Sequence, residues 1–115
     1  MTDRFADTFA RLSQERNGAF VPFVNLCDPD EATSLRILKT LVAAGADALE
    51  LGLPFSDPSA DGPVIVASAD RAIRNGATTE KCLKVIEAFR AENKTTPVSV
   101  MPVSYTHLTL PTTER

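Results

Sequence analysis

Apolar side chains fall along this chain in two alternating rhythms. Phe5, Phe9 and Leu12 recur at the spacing of a helical face, which predicts a short amphipathic helix over residues 3–16, with Gly18 as its stop. Residues 19–26, AFVPFVNL, are continuously apolar and rich in valine and phenylalanine, and predict a short buried strand despite Pro22. Pro29, Asp30 and Glu31 then suit a helix start. Leu35, Leu38, Leu41 and Val42 give that helix its apolar face, and Gly45 follows its last turn. Residues 46–54, ADALELGLP, read as a second strand closed by Pro54. A loop to Gly62 follows, then a helix over residues 63–76. Residues 78–93 form another helical pattern with Cys82, Val85, Ile86 and Phe89 on one side, and residues 95–101, TTPVSVM, predict a third strand. Strands that alternate with helices in this way predict crossover units and a parallel sheet.

The second strand breaks its own pattern. Successive strand residues face opposite sides, so Leu49, Leu51 and Leu53 share one face while Ala48, Glu50 and Gly52 share the other. The leucines suit a helix layer. Glu50 stands among small residues near the carboxyl end of its strand, where parallel α/β architectures place their ligands. Apolar surroundings disfavour the charged form of a glutamate and suit it to proton exchange near neutrality. Asp61, in the loop that follows, is expected to be more solvated and to stay ionised; two carboxylates in unlike environments divide acid and base roles. The alternatives are structural: a strand glutamate can pair with a neighbouring strand, and SDPSADG is also ordinary turn chemistry. Asp28 and Pro29 likewise read as a helix-start turn that needs no ligand.

Composition narrows the classes. At 43% hydrophobic and 23% charged the chain is balanced like a folded globular domain, and its 115 residues allow one domain at most. A net charge of -3 gives no basic footprint for nucleic acid. No apolar run nears the roughly 20 residues that cross a bilayer, and residues 1–18 lack the apolar centre of a secretory signal. Cys27 and Cys82 stand far apart in the sequence, without a C-x-x-C or a histidine cluster, which argues against zinc and against a disulfide scaffold. A cytoplasmic setting is the expectation. No phosphate-cradling glycine motif is present, and His107 and Tyr105, in the terminal segment, receive no role.

The stretch ELGLPFSDPSADGPVI, residues 50–65, closely resembles the signature of the tryptophan synthase α subunit family. GAFVPFVNLCDPD, residues 18–30, resembles that family's first strand and loop. LVAAGADALELG, residues 41–52, matches the approach to its second strand, and DRFADTFARL resembles an extra N-terminal helix that plugs the barrel floor. The resemblance runs in one register from about residue 3 to residue 101. It implies an α/β fold, the N-terminal portion of a (β/α)8 TIM barrel with an extra N-terminal helix, truncated after about the third strand. It also implies a lyase that cleaves indole-3-glycerol phosphate to indole and glyceraldehyde 3-phosphate in tryptophan biosynthesis, with no metal and no cofactor of its own. By this likeness Glu50 is the acid–base group, Asp61 accepts a hydrogen bond from the indole N–H, and Phe23 and Ser59 line the substrate pocket. Pro54 and Asp57 belong to the loop that contacts the β subunit, the pyridoxal phosphate-bearing partner in an α2β2 tetramer.

The chain departs from that pattern at several positions. Ser59 stands where the family has leucine or methionine, Val66 where glutamine is common, and Cys27 where glycine is common before Asp-Pro. After Met101 the family pattern ends, so residues 1–101 are expected to be a partial barrel domain. Residues 102–115 are expected to be a disordered tail outside the family, resembling translated sequencing-adapter read-through. A barrel of this type takes roughly 250 residues, so the isolated chain is expected to be inactive. Two other readings stay open. One is a different phosphate-binding barrel enzyme, which would lack the Glu50–Asp61 pairing. The other is a non-catalytic module that binds a β-type subunit through Pro54 and Asp57.

Overall fold

In a computed structural model, which describes residues 3–55 and 62–101, helices and strands alternate as the two rhythms require. The order is α1 (Arg4–Glu15), β1 (Phe23–Asn25), α2 (Glu31–Ala43), β2 (Leu49–Gly52), α3 (Pro63–Arg74), α4 (Thr79–Glu92) and β3 (Val98–Met101). The helices start where side chains can satisfy the free N–H groups of a first turn. The Asp3 carboxylate accepts from the N–H groups of Phe5 and Ala6, that of Asp30 from Thr33, and the Thr78 hydroxyl from Lys81. α3 instead begins with proline in its first turn, where the missing N–H costs nothing.

Two helix ends use left-handed backbone at glycine, Gly45 after α2 (φ 110°) and Gly76 after α3 (φ 89°). α1 keeps its expected span, but Gly18 is not its cap. Arg16 turns left-handed at φ 58°, and the N–H of Asn17 bonds back to the Leu12 carbonyl, closing the last turn two residues before the glycine. β1 is shorter than the apolar run 19–26. Only Phe23–Asn25 form its ladder; single backbone bonds continue on either side, from the Glu50 N–H to the Pro22 carbonyl and from the Leu26 N–H to the Gly52 carbonyl, while Pro22 itself has no N–H to donate.

The three strands form a parallel sheet in the order β1-β2-β3. Glu50, on the central strand, has Phe23 of β1 as its register partner on one side and Ser99 of β3 on the other. Asn25, Gly52 and Met101 align in the same way, one step further along the face. The opposite face is the core. Leu49, Leu51 and Leu53 are buried there with Leu26, Leu38, Ala72, Cys82, Val85, Ile86, Phe89 and Val98. α2 and α4 pack against each other across this cluster. α2 and α4 thus cover the leucine face, and the Glu50 face lies on the other side of the sheet.

Candidate functional site

The carboxyl ends of all three parallel strands point the same way, at Asn25, Gly52 and Met101. Glu50 sits one alternation back from that edge, half-buried between Phe23 and Ser99. Among the described residues no side chain donates to its carboxylate or pairs with it. The structural alternative, an ion pair with a neighbouring strand, finds no partner here: the flanking register positions hold phenylalanine and serine.

Gly52 makes room beside it. A Cβ at this position would lie 2.4 Å from Asn25 Oδ1 and 2.7 Å from Phe23 Cζ. Both atoms are the far ends of side chains, so Gly52→Ala pushes Asn25 and Phe23 off their positions rather than breaking the strand. We expect a loss of about 1–3 kcal/mol in urea unfolding, the usual cost of overpacking. A loss under about 0.5 kcal/mol, the range of an ordinary surface substitution, would mean that the two side chains swing aside freely.

Asn25 explains why the space is needed. Its Nδ2 donates to the Ile65 carbonyl at 3.2 Å and to Ser68 Oγ at 3.3 Å, both on α3. Ser68 Oγ in turn donates to Asp28 Oδ2. Asp28 holds Arg71 through two parallel bonds of 2.8 Å, from Nε to Oδ1 and from an Nη to Oδ2. Asn75 Nδ2 donates to the Pro29 carbonyl at 2.7 Å. These bonds fasten α3 over the end of β1 and the loop that follows it. α3 starts at Pro63, two residues after Asp61 in the sequence.

The reading of Asp28 as a plain turn residue is therefore incomplete: its carboxylate is the hub of this network. No local signal announces it, because its partners Ser68 and Arg71 lie 40 and 43 residues away. The Arg71 guanidinium holds the Asp28 carboxyl below its ordinary value; burial opposes this, and the Ser68 hydroxyl assists. A depressed folded-state pKa contributes stability that is complete above the unfolded value near 3.8 and is lost as pH falls through the lower folded value. Asp28→Asn is expected to cost about 1–2 kcal/mol at neutral pH, because a charge-assisted fork is lost while one partner stays solvated. The difference from the parent in urea unfolding should hold from about pH 7 to about pH 5 and shrink below about pH 4. A difference that grows on acidification would remove Asp28 as the hub.

Cys27, in the same loop, adopts left-handed backbone at φ 64°, a region that favours glycine. Its N–H is held by Ser34 Oγ at 3.0 Å, and its thiol is buried against Cys82. Pro54 is fully buried at the end of β2. Asp57, Ser59 and Asp61 lie outside the described residues, as does the segment 102–115. Of the expected site residues, the structure brings Glu50 and Phe23 side by side. Among the described residues no cluster of three or more His, Cys, Asp or Glu could hold a metal, and no helix is long and apolar enough to cross a membrane.

Comparison with known proteins agrees with this fold. A family model described as tryptophan synthase alpha chain matches residues 9–113. The tryptophan synthase alpha chain of Vibrio vulnificus (strain YJ016) is 52% identical over 99 residues, covering 86% of this chain and 37% of that protein. Among solved structures, tryptophan synthase subunit alpha from Legionella pneumophila superposes with a TM-score of 0.84 at 34% identity, over 89% of this chain and 39% of that one. A chain of the tryptophan synthase a2b2 complex from Pyrococcus furiosus superposes at 0.67 with 37% identity, over 73% of this chain and 35% of its own. The chain thus spans about 37% of the length of the curated relatives it matches.

Proposed function

The chain belongs to the tryptophan synthase alpha chain family, and from that premise we propose that it supplies the acid–base half of a site that cleaves indole-3-glycerol phosphate to indole and glyceraldehyde 3-phosphate. The observation that carries this reading is Glu50, placed between Phe23 and Ser99 on the sheet face opposite the leucines, without a partner among the described residues. The cleavage is a retro-aldol step. A proton added at indole C3 makes the ring an electron sink. The side-chain hydroxyl then gives up its proton as the carbon–carbon bond breaks, and the bonding electrons return to the ring. Glu50 is suited to deliver the first proton and accept the second, because one positioned carboxyl can serve both transfers in turn. Asp61, four residues ahead of the anchored Ile65 carbonyl, would accept from the indole N–H and stabilise the charge on the protonated ring. Phe23, against Glu50, offers an apolar wall for the indole, and Ser59 takes part in covering it.

The reaction calls for no metal and no cofactor in this chain; pyridoxal phosphate belongs to the β subunit. Asp57 would contact that subunit in an α2β2 assembly. Pro54, with its ring buried, would serve the contact by setting the direction of the loop rather than by its side chain. Among the described residues the sheet has three parallel strands, and β1 and β3 have no further neighbour. The 115-residue polypeptide by itself is therefore expected to release no measurable indole.

The test is a chimera in which residues 3–101 replace the matching segment of the Vibrio vulnificus alpha chain. Indole release from indole-3-glycerol phosphate should persist in the chimera. A folded chimera without turnover would overturn the assignment.

A further inference from the structure

Two thiols that the proposed reaction does not use lie in contact. Cys27 closes β1 into its loop, Cys82 lies in the first turns of α4, and their sulfurs are 3.5 Å apart although 55 residues separate them. They are 2% and 0% exposed, and both are free. We propose that Cys27 and Cys82 are a redox-responsive dithiol, which closes into an intrachain disulfide tying the loop after β1 to α4 when the chain meets a low-molecular-weight disulfide such as glutathione disulfide.

The geometry needs little adjustment. Bonded sulfurs lie about 2.05 Å apart, so the pair must close by about 1.5 Å. Cys27 sits in a loop rather than inside an element, which lets that movement occur on one side. The two sulfurs are also unlike. Cys82 donates its S–H to the Cys27 sulfur, a bond that favours the Cys27 thiolate, while burial pushes both thiols up. Cys27 is therefore the attacking group and Cys82 the resolving one. In the first exchange the Cys27 thiolate displaces one glutathione thiolate and becomes a mixed disulfide. The Cys82 thiolate then displaces the second. Two protein thiols and one glutathione disulfide become one protein disulfide and two glutathione thiols, with two electrons passing to glutathione.

Burial makes the exchange wait for the loop to open, so its rate is slow and its equilibrium is the informative quantity. The bond would bear on the site described above, because Cys27 adjoins Asp28, the residue that holds Ser68 and Arg71. It does not depend on that site turning over substrate.

The 115-residue chain is equilibrated in glutathione redox buffers with and without denaturant, quenched with N-ethylmaleimide and weighed intact. The disulfide form should be lighter than the reduced chain by two hydrogens, unlabelled, and should give linked tryptic peptides 17–36 and 82–84. The effective concentration of the thiol pair should be at least about tenfold higher in native buffer than in denaturant, as expected when a fold rather than a flexible chain brings the groups together. Cys27→Ser and Cys82→Ser should each form only the single glutathione adduct. An effective concentration equal to or below the denatured value would overturn the proposal, as would products linked between chains.

Discussion

Phe89→Ala should abolish the cooperative unfolding of the 115-residue chain. Phe89 is 1% exposed and is among the largest fully buried side chains, set in the cluster where α2 and α4 meet the leucine face of the sheet. Truncating a buried phenylalanine removes its transfer free energy and leaves a cavity, together worth about 3–5 kcal/mol. Small domains hold only about 5–15 kcal/mol in total, and a chain of 115 residues whose described sheet has three strands belongs at the low end of that range. The loss therefore meets the whole margin. The contacts cannot be recovered nearby, because Val85 and Ile86 are already packed at 3% exposure and Cys82 at 0%. Urea titration followed by circular dichroism measures the effect. A variant that retains a sigmoidal transition within about 1 kcal/mol of the parent would show that α4 is not what holds the helix layer to the sheet.

The same helix shows how much of the fold was legible in the sequence. Cys82, Val85, Ile86 and Phe89 recur at helical spacing, and all four are buried on one side of α4. Alternation in β2 was equally direct: the three leucines enter the core and Glu50 faces away. β1 has a ladder of only three residues within the apolar run 19–26, and starts directly after Pro22, the one residue of AFVPFVNL that signalled against a strand. α1 keeps its expected span, 3–16 with the caps, but a backbone bond at left-handed Arg16 closes its last turn and Gly18 serves no cap. What escaped is what depends on parts of the chain distant in sequence. Cys27 and Cys82 looked unrelated because spacing along the chain says nothing of distance across a crossover. The Asp28 network is invisible for the same reason. Its members come from β1, from the loop after it and from α3, and each residue alone has an adequate local explanation. Local patterns specify which face of an element is buried. They do not specify which polar groups meet once the faces are packed.

That limit bears directly on Glu50, which its misfit within an apolar strand marks as a candidate and to which the family resemblance gives the acid–base role. In the chimera carrying residues 3–101, Glu50→Gln should lower kcat for indole release by about 10²–10⁴-fold, the usual contribution of a positioned acid–base group. Glutamine keeps the shape and the position between Phe23 and Ser99 but cannot deliver a proton to indole C3. The change acts on the transition state, so kcat should fall while KM moves little. Stability should hold as well, because no described side chain depends on the carboxylate for a bond. This separates Glu50 from Asp28, whose replacement should lower stability first and activity only through the placing of α3. A Glu50→Gln chimera with unchanged kcat would leave Glu50 as a solvated strand residue. A chimera that lost activity and stability together would make it a structural one. Only loss of turnover in a chimera as stable as its parent fits a carboxylate placed on this strand to move a proton.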